Sequence, residues 1–199
     1  MEKRAAILAA SIDLFTRQGF EGTSMDAVAT AAGVSKLTVY SHFGDKDNLF
    51  REVIRSRVQE LLPERTYHFD PAIGIRDNLL RVALAHVRLD CAPEAVGMFR
   101  AILSNCHQGE PRYGRMVWEE GSMRTHGLID TLLQSAVDDG CLDIDDTSRA
   151  AMQFMSLVKG NLVMKRLFGC SDCDESYAAE LEANARAGVD MFLRAYQPR

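Results

Sequence analysis

With 199 residues, of which 47% are hydrophobic and 26% charged, the chain is long enough to bury a full core and has the composition of a globular protein rather than a disordered or fibrous one. No window approaches the roughly 18 consecutive apolar residues of a membrane span. The start, Met1-Glu2-Lys3-Arg4, runs into an amphipathic pattern instead of a signal-peptide core, so a cytoplasmic protein with no membrane partner is expected. The net charge of -5 is unevenly distributed: residues 1–57 carry 8 Lys and Arg against 7 Asp and Glu, whereas residues 58–199 carry 15 against 21. A near-neutral head can still bind phosphates if its basic side chains share one face, so charge permits nucleic-acid binding without arguing for it.

Helical spacing dominates and β-branched alternation is scarce. Ile7, Leu8, Ser11, Leu14 and Phe15 share one arc of a first helix. Gly19 followed by Phe20 predicts a left-handed stop that folds an aromatic back onto that arc. Thr23 is the expected N-cap of a second helix from about Ser24, with Asp26 reaching back to the cap's N–H. Gly33 ends that helix, Ser35 caps a third over Lys36 to Phe43, and Gly44 closes it. Asp45 and Asp47 open a fourth that Pro63 limits, which makes four helices in about 60 residues. Beyond it, the punctuation by Pro71, Pro93, Pro111, Gly140 and the 169–174 stretch predicts helices near 72–90, 94–107, 111–138, 146–168 and 175–196. In the last of these, Leu181, Ala185, Gly188, Val189, Phe192 and Tyr196 form a stripe that wants a partner helix.

The stretch from Ser24 to Lys46 carries function. Two short helices that cross steeply need a small residue at the crossing, which Ala29 supplies, and a turn residue that tolerates positive φ, which Gly33 supplies four positions later. Val28, Ala32, Val34 and Val39 are the expected interior, and the pattern specifies a helix-turn-helix. With Val39 and Phe43 turned inward, the third helix presents Lys36, Leu37, Thr38, Tyr40 and Ser41, a face free of acidic residues. Its N-terminal end, from Ser35, suits the major groove, where Lys36 and Thr38 reach base edges and Leu37 meets a thymine methyl. Tyr40, His42, Lys46 and the helix start at Ser24 suit phosphates.

The run Arg4-Ala-Ala-Ile-Leu-Ala-Ala, the pairs Leu14-Phe15 and Gly19-Phe20, and Gly22-Thr23-Ser24 together resemble the TetR family of regulators. So do Ala31-Ala32-Gly33-Val34-Ser35, Tyr40-Ser-His-Phe43 and Lys46-Asp-Asn-Leu-Phe50, so the match is dense across residues 4–55. The resemblance implies an all-α protein: a three-helix helix-turn-helix DNA-binding head at 1–57, joined to a helical effector-binding and dimerisation bundle at 58–199. It implies a ligand-responsive regulator, often a repressor that releases a palindromic operator when a small apolar or amphipathic molecule binds. The last two helices look like the family's two-helix dimer element, and Leu157, Leu181, Ala185, Val189 and Phe192 are the interface residues expected of a homodimer. A dimer also follows from the few base pairs that one short recognition helix can read.

Met98, Phe99, Met116, Trp118, Met123 and Phe154 are candidates to line an effector pocket, since thioethers and rings suit apolar guests, although core packing accounts for each equally well. His86, His107 and His126 are isolated. The cysteines Cys91, Cys106, Cys141, Cys170 and Cys173 are odd in number in a chain without an export signal, which favours reduced thiols. Cys170 and Cys173 have the gap of a redox or zinc pair, but a second ligand pair is missing and Asp172, Asp174 and Glu175 disfavour thiolate. No nucleophile elbow, phosphate loop or zincin motif is present, so no catalytic residue, metal or cofactor is expected.

Overall fold

The computed structural model describes residues 2–92, 95–100, 103, 111–171 and 174–198, the side chains of residues 90 and 91 excepted. It is all helical, with no strand among the described residues. The helices are α1 (Glu2–Gly22), α2 (Met25–Ala31), α3 (Lys36–Phe43), α4 (Lys46–Leu61), α5 (Gly74–Cys91), α6 (95–100), α7 (Pro111–Val117), α8 (Arg124–Asp138), α9 (Thr147–Lys159), α10 (Leu162–Leu167) and α11 (Glu175–Tyr196). Short 3-10 turns at Glu64–Tyr67 and Pro71–Ile73 join α4 to α5, and a π-helical turn at Trp118–Met123 joins α7 to α8.

The predicted stops and starts fall where backbone chemistry puts them. Gly19 (φ 71°) kinks the chain and Phe20 turns into the core. Ser35 caps α3 by accepting from the Thr38 N–H, and Gly44 (φ 77°) ends it. The cap of α2 is Ser24, one residue later than expected: its hydroxyl accepts from the Ala27 N–H, while the buried Thr23 donates to the Gly19 carbonyl. Asp26 therefore has no capping duty. The expected 111–138 helix is interrupted by the π turn, and the expected 146–168 helix by Gly160 (φ 54°), which separates α9 from α10. Most of the expected 94–107 helix beyond residue 100, with Cys106 and His107, lies outside the described residues, as does Cys173.

The chain divides into two compact units. One contains residues 2–58 together with 111–121; the other contains 59–100 and 122–198. The first boundary lies beside the expected division at 57/58, but α7 and most of the π turn group with the head. Tyr113, Met116 and Val117 are buried among Phe15, Phe20 and Phe50 of α1 and α4.

In the second unit α11 packs on α9 and α5, and α9 packs on α8. Phe154 and Phe192 meet edge to face at 5.2 Å, a favoured geometry for two rings. Gly188 lets α11 approach α9 closely: a Cβ there would lie 2.9 Å from the Leu157 carbonyl carbon and oxygen. Beside it Asn184 donates to the Leu157 and Val158 carbonyls, at 3.2 and 2.7 Å. A buried pair of titratable side chains sits within this unit, where the His86 Nε2 lies 2.7 Å from the Tyr67 hydroxyl. Burial, with a smaller push from the Lys159 charge, lowers the His86 pKa to about 3. The unfolded imidazole titrates near 6.5 and binds the proton that the folded one refuses. Stability from this group is therefore complete above pH 6.5 and drains as pH falls toward 3, by at most about 1.4 kcal/mol per pH unit. Urea unfolding between pH 7 and pH 4.5 should show this slope, and His86→Gln should flatten it; equal slopes for both proteins would mean that His86 protonates in the folded state.

Candidate nucleic-acid interface

The α2–α3 turn is built from backbone hydrogen bonds across Gly33 (φ 66°): the Val34 N–H donates to the Ala29 carbonyl at 3.0 Å and the Gly33 N–H to Thr30 at 3.2 Å. Val28 and Val39 are fully buried on either side of the turn, with Ala32 and Val34 packed against the same core. Because Val39 and Phe43 take the inner face of α3, the outer face is left to Lys36, Leu37, Tyr40, Ser41 and His42, all exposed. Leu37 is 78% exposed. Thr38 is half-buried, and its hydroxyl lies 2.8 Å from that of Ser35, so the cap orients it. Ser41 donates to the Thr38 carbonyl, and Ser24 and Ser35 are exposed at the two helix starts.

The two lysines expected at DNA differ from solvated charges. Lys36 Nζ lies 2.8 Å from one Asp26 carboxylate oxygen and 3.0 Å from the other, and this hydrogen bond raises its pKa. Lys46 is half-buried with Nζ 4.2 Å from the centre of the Phe20 ring; burial pushes its pKa down, with Glu21 and Asp47 opposing. Lys46 therefore belongs to the head's aromatic cluster, where a cation over a ring face is favourable. Other head cations are paired as well. Arg4 bonds Glu52, Arg17 bonds Asp13, and Arg112 bonds Asp47. Arg51 and Arg55 of α4 hold Glu119 and Glu120 of the π turn at 2.5–3.0 Å. Burial raises the Glu120 pKa, but the hydrogen bonds from Arg55 and Arg51 outweigh it and leave the carboxyl below its ordinary value. Nothing in the sequence pattern announced these partners, since they lie some 65 residues from α4.

Residues 7–53 match the bacterial regulatory proteins of the TetR family, and residues 77–198 match the C-terminal domain of AefR-like transcriptional repressors. The chain belongs to the TetR family. Its relatives include the regulator SrpR of Pseudomonas putida, 31% identical over 81% of this chain and 74% of that one. A TetR-family regulator from Mesorhizobium loti has a similar structure, with a TM-score of 0.80 at 30% identity over 98% of this chain and 97% of that one. The flavonoid-responsive regulator FrrA is similar with a TM-score of 0.78 at 34% identity, over 99% of this chain and 98% of that one. This TetR-family chain is therefore a DNA-binding transcription regulator and not an enzyme, and no described helix is long and apolar enough to cross a membrane.

The TetR-family body treats the remaining candidates differently from expectation. Phe154 is fully buried against Phe192, and Met116 lies in the head core. Met98, Trp118 and Met123 are exposed and Phe99 is half-buried. A cleft of about 490 Å³ in the body is bounded by Glu64, Arg65, His68, Asp70 and Arg81. The expected dimer stripe requires correction. Leu181, Ala185, Val189 and Phe192 are buried in the protomer's own core and Leu157 is packed against it, because α11 spends this stripe on α5 and α9 of the same chain. Cys170 is exposed and Cys141 half-buried, both as free thiols.

Proposed function

We propose that the chain is a homodimeric, effector-responsive repressor that acts in the cytoplasm and leaves a palindromic operator when a small apolar or amphipathic molecule binds its body. The observation that carries the DNA part is the outer face of α3, where Leu37, Tyr40 and Ser41 stand exposed beside a Thr38 oriented by the Ser35 cap. Thr38 and Leu37 read base edges, while Ser24, Ser35, Tyr40, Ser41 and His42 contact the backbone. Lys46, held on Phe20, supports the head instead. The match of residues 77–198 to a repressor's C-terminal domain supports repression, and the likeness to a flavonoid-responsive regulator supports an effector that is largely apolar with a few hydroxyls. For such a guest the buried His86–Tyr67 pair is a polar contact that the body core offers.

Two heads of a dimer read half-sites about 34–36 Å apart on one face of the duplex. The protomer's unspent surface for a second copy is the outward side of α9 and α11, where Met152 and Ser156 accompany Ala183, Ala187 and Met191 at four-residue steps. Small residues there allow helices to approach closely.

An operator recovered by selection from genomic fragments allows three measurements. Tyr40→Ala should weaken binding to operator and random duplex alike, whereas Thr38→Ala should cost about 1–3 kcal/mol and relax preference at one or two base pairs. Equal loss on both DNAs for Thr38→Ala would remove it from base readout. Met191→Asp, on the surface, should yield a folded monomer by light scattering with poor operator affinity, while Phe192→Asp should unfold the protomer; a dimeric Met191→Asp protein would place the seam elsewhere. In a panel of apolar and polyphenolic compounds, at least one should raise the melting temperature and weaken operator binding together, because a ligand moves the equilibrium only through differential affinity for the two states. A panel in which no compound does both would end the effector reading.

A further inference from the structure

Lys36 is the one lysine or arginine in α3, and its charge is already engaged by Asp26 on the first turn of α2. The pair is exposed, with 57% of the lysine and 64% of the aspartate side chain open to solvent, and an ion pair in that setting exchanges readily with other anions. Asp26 is free to hold the lysine because Ser24, three residues before Ala27, is the cap that serves α2. With Arg4, Arg17, Arg51, Arg55 and Arg112 also on carboxylates, the head in isolation shows few uncommitted cations. Sequence-independent DNA binding rests almost wholly on cations that replace counterions at phosphates.

We propose that Asp26 is a specificity-determining residue, which keeps Lys36 paired on random DNA and yields it to the duplex only when α3 is seated in its operator. The proposal rests on the reading that α3 contacts DNA. On random sequence the helix has no base contacts to draw it into the groove, so Lys36 stays on Asp26 and one cationic contact to DNA is missing. On the operator, base contacts seat α3, Lys36 exchanges Asp26 for DNA, and the contact is added. The carboxylate thus lowers background binding more than it lowers operator binding.

The test compares full-length wild type, Asp26→Asn, Lys36→Gln and the double variant on a selected operator and on random duplex, across a range of salt, with Tyr40→Ala as reference. Asp26→Asn should raise random-duplex affinity three- to tenfold at low salt and steepen its log–log salt slope by about one. Operator affinity should rise less, so the ratio between the two falls. In the Lys36→Gln background the same substitution should do almost nothing. Asp26→Ala should repeat the result, and matched melting temperatures check folding. An equal gain with and without Lys36 would mean simple repulsion by Asp26 and would overturn the proposal. So would an unchanged random-duplex affinity in Asp26→Asn while Tyr40→Ala weakens binding, an outcome that leaves the α3 interface standing. If Tyr40→Ala and Lys36→Gln also leave binding unchanged, the interface reading falls and the proposal falls with it.

Discussion

Four rings hold the head together. Phe15 and Phe20 from α1, Phe50 from α4 and Tyr113 from α7 lie with neighbouring centroids 4.2–6.4 Å apart, three of the contacts edge to face. Ring pairs in such geometry add attraction beyond the apolar area they bury. Lys46 and Arg112 lie over Phe20, and the Tyr113 hydroxyl bonds Glu21, so the cluster also fixes the charges around it. Because Gly19 turns Phe20 back into this cluster, the helix-turn-helix that follows starts from a defined point. The exposed face of α3 depends on it: Val39 and Phe43 have a core to enter only if the rings hold α1 and α4 around them.

The same packing explains the electrostatics. A head with nearly balanced charge could display its cations freely or pair them, and here most of them are paired, several with residues distant in sequence. Partly exposed pairs contribute little to stability singly. Their effect lies in what remains available at the surface, and on α3 that is hydroxyls, a phenol, an imidazole and the apolar tip of Leu37. Such a face favours recognition by shape and base edge over attraction to phosphate in general.

In the body, economy of apolar surface decides the architecture. The α11 stripe is continuous, with Gly188 at its middle, and within a protomer its residues from Leu181 to Phe192 are buried against α5 and α9. The exposed side of α11 carries Ala183, Ala187 and Met191 among charged residues such as Glu180, Arg186 and Arg194. The His86–Tyr67 pair is a polar contact within a largely apolar interior, and its mutual hydrogen bond removes much of the cost of burying two polar groups.

Sequence alone determined what is local. Gly19, Gly33 and Gly44 reach positive φ where turns were expected, Ser35 caps α3, and α11 runs from Glu175 to Tyr196 as its periodicity required. These features depend on residues within a turn or two of each other, so their chemistry is visible in order along the chain. The resemblance that assigned the family rests on the same short stretch. Tertiary structure decided the rest. Periodicity showed that α11 had an apolar face but not which helix would cover it, and the protomer itself was the answer. Tyr113 and Val117 read as ordinary helix residues and Met116 as a pocket candidate, yet all three complete the head, about 60 residues beyond its expected end. Asp26 looked like half of a capping box until Ser24 took the cap and the chain brought Lys36, ten residues on, to its carboxylate. Each outcome turns on which of several chemically adequate partners comes within reach, and that is a property of the folded path of the chain.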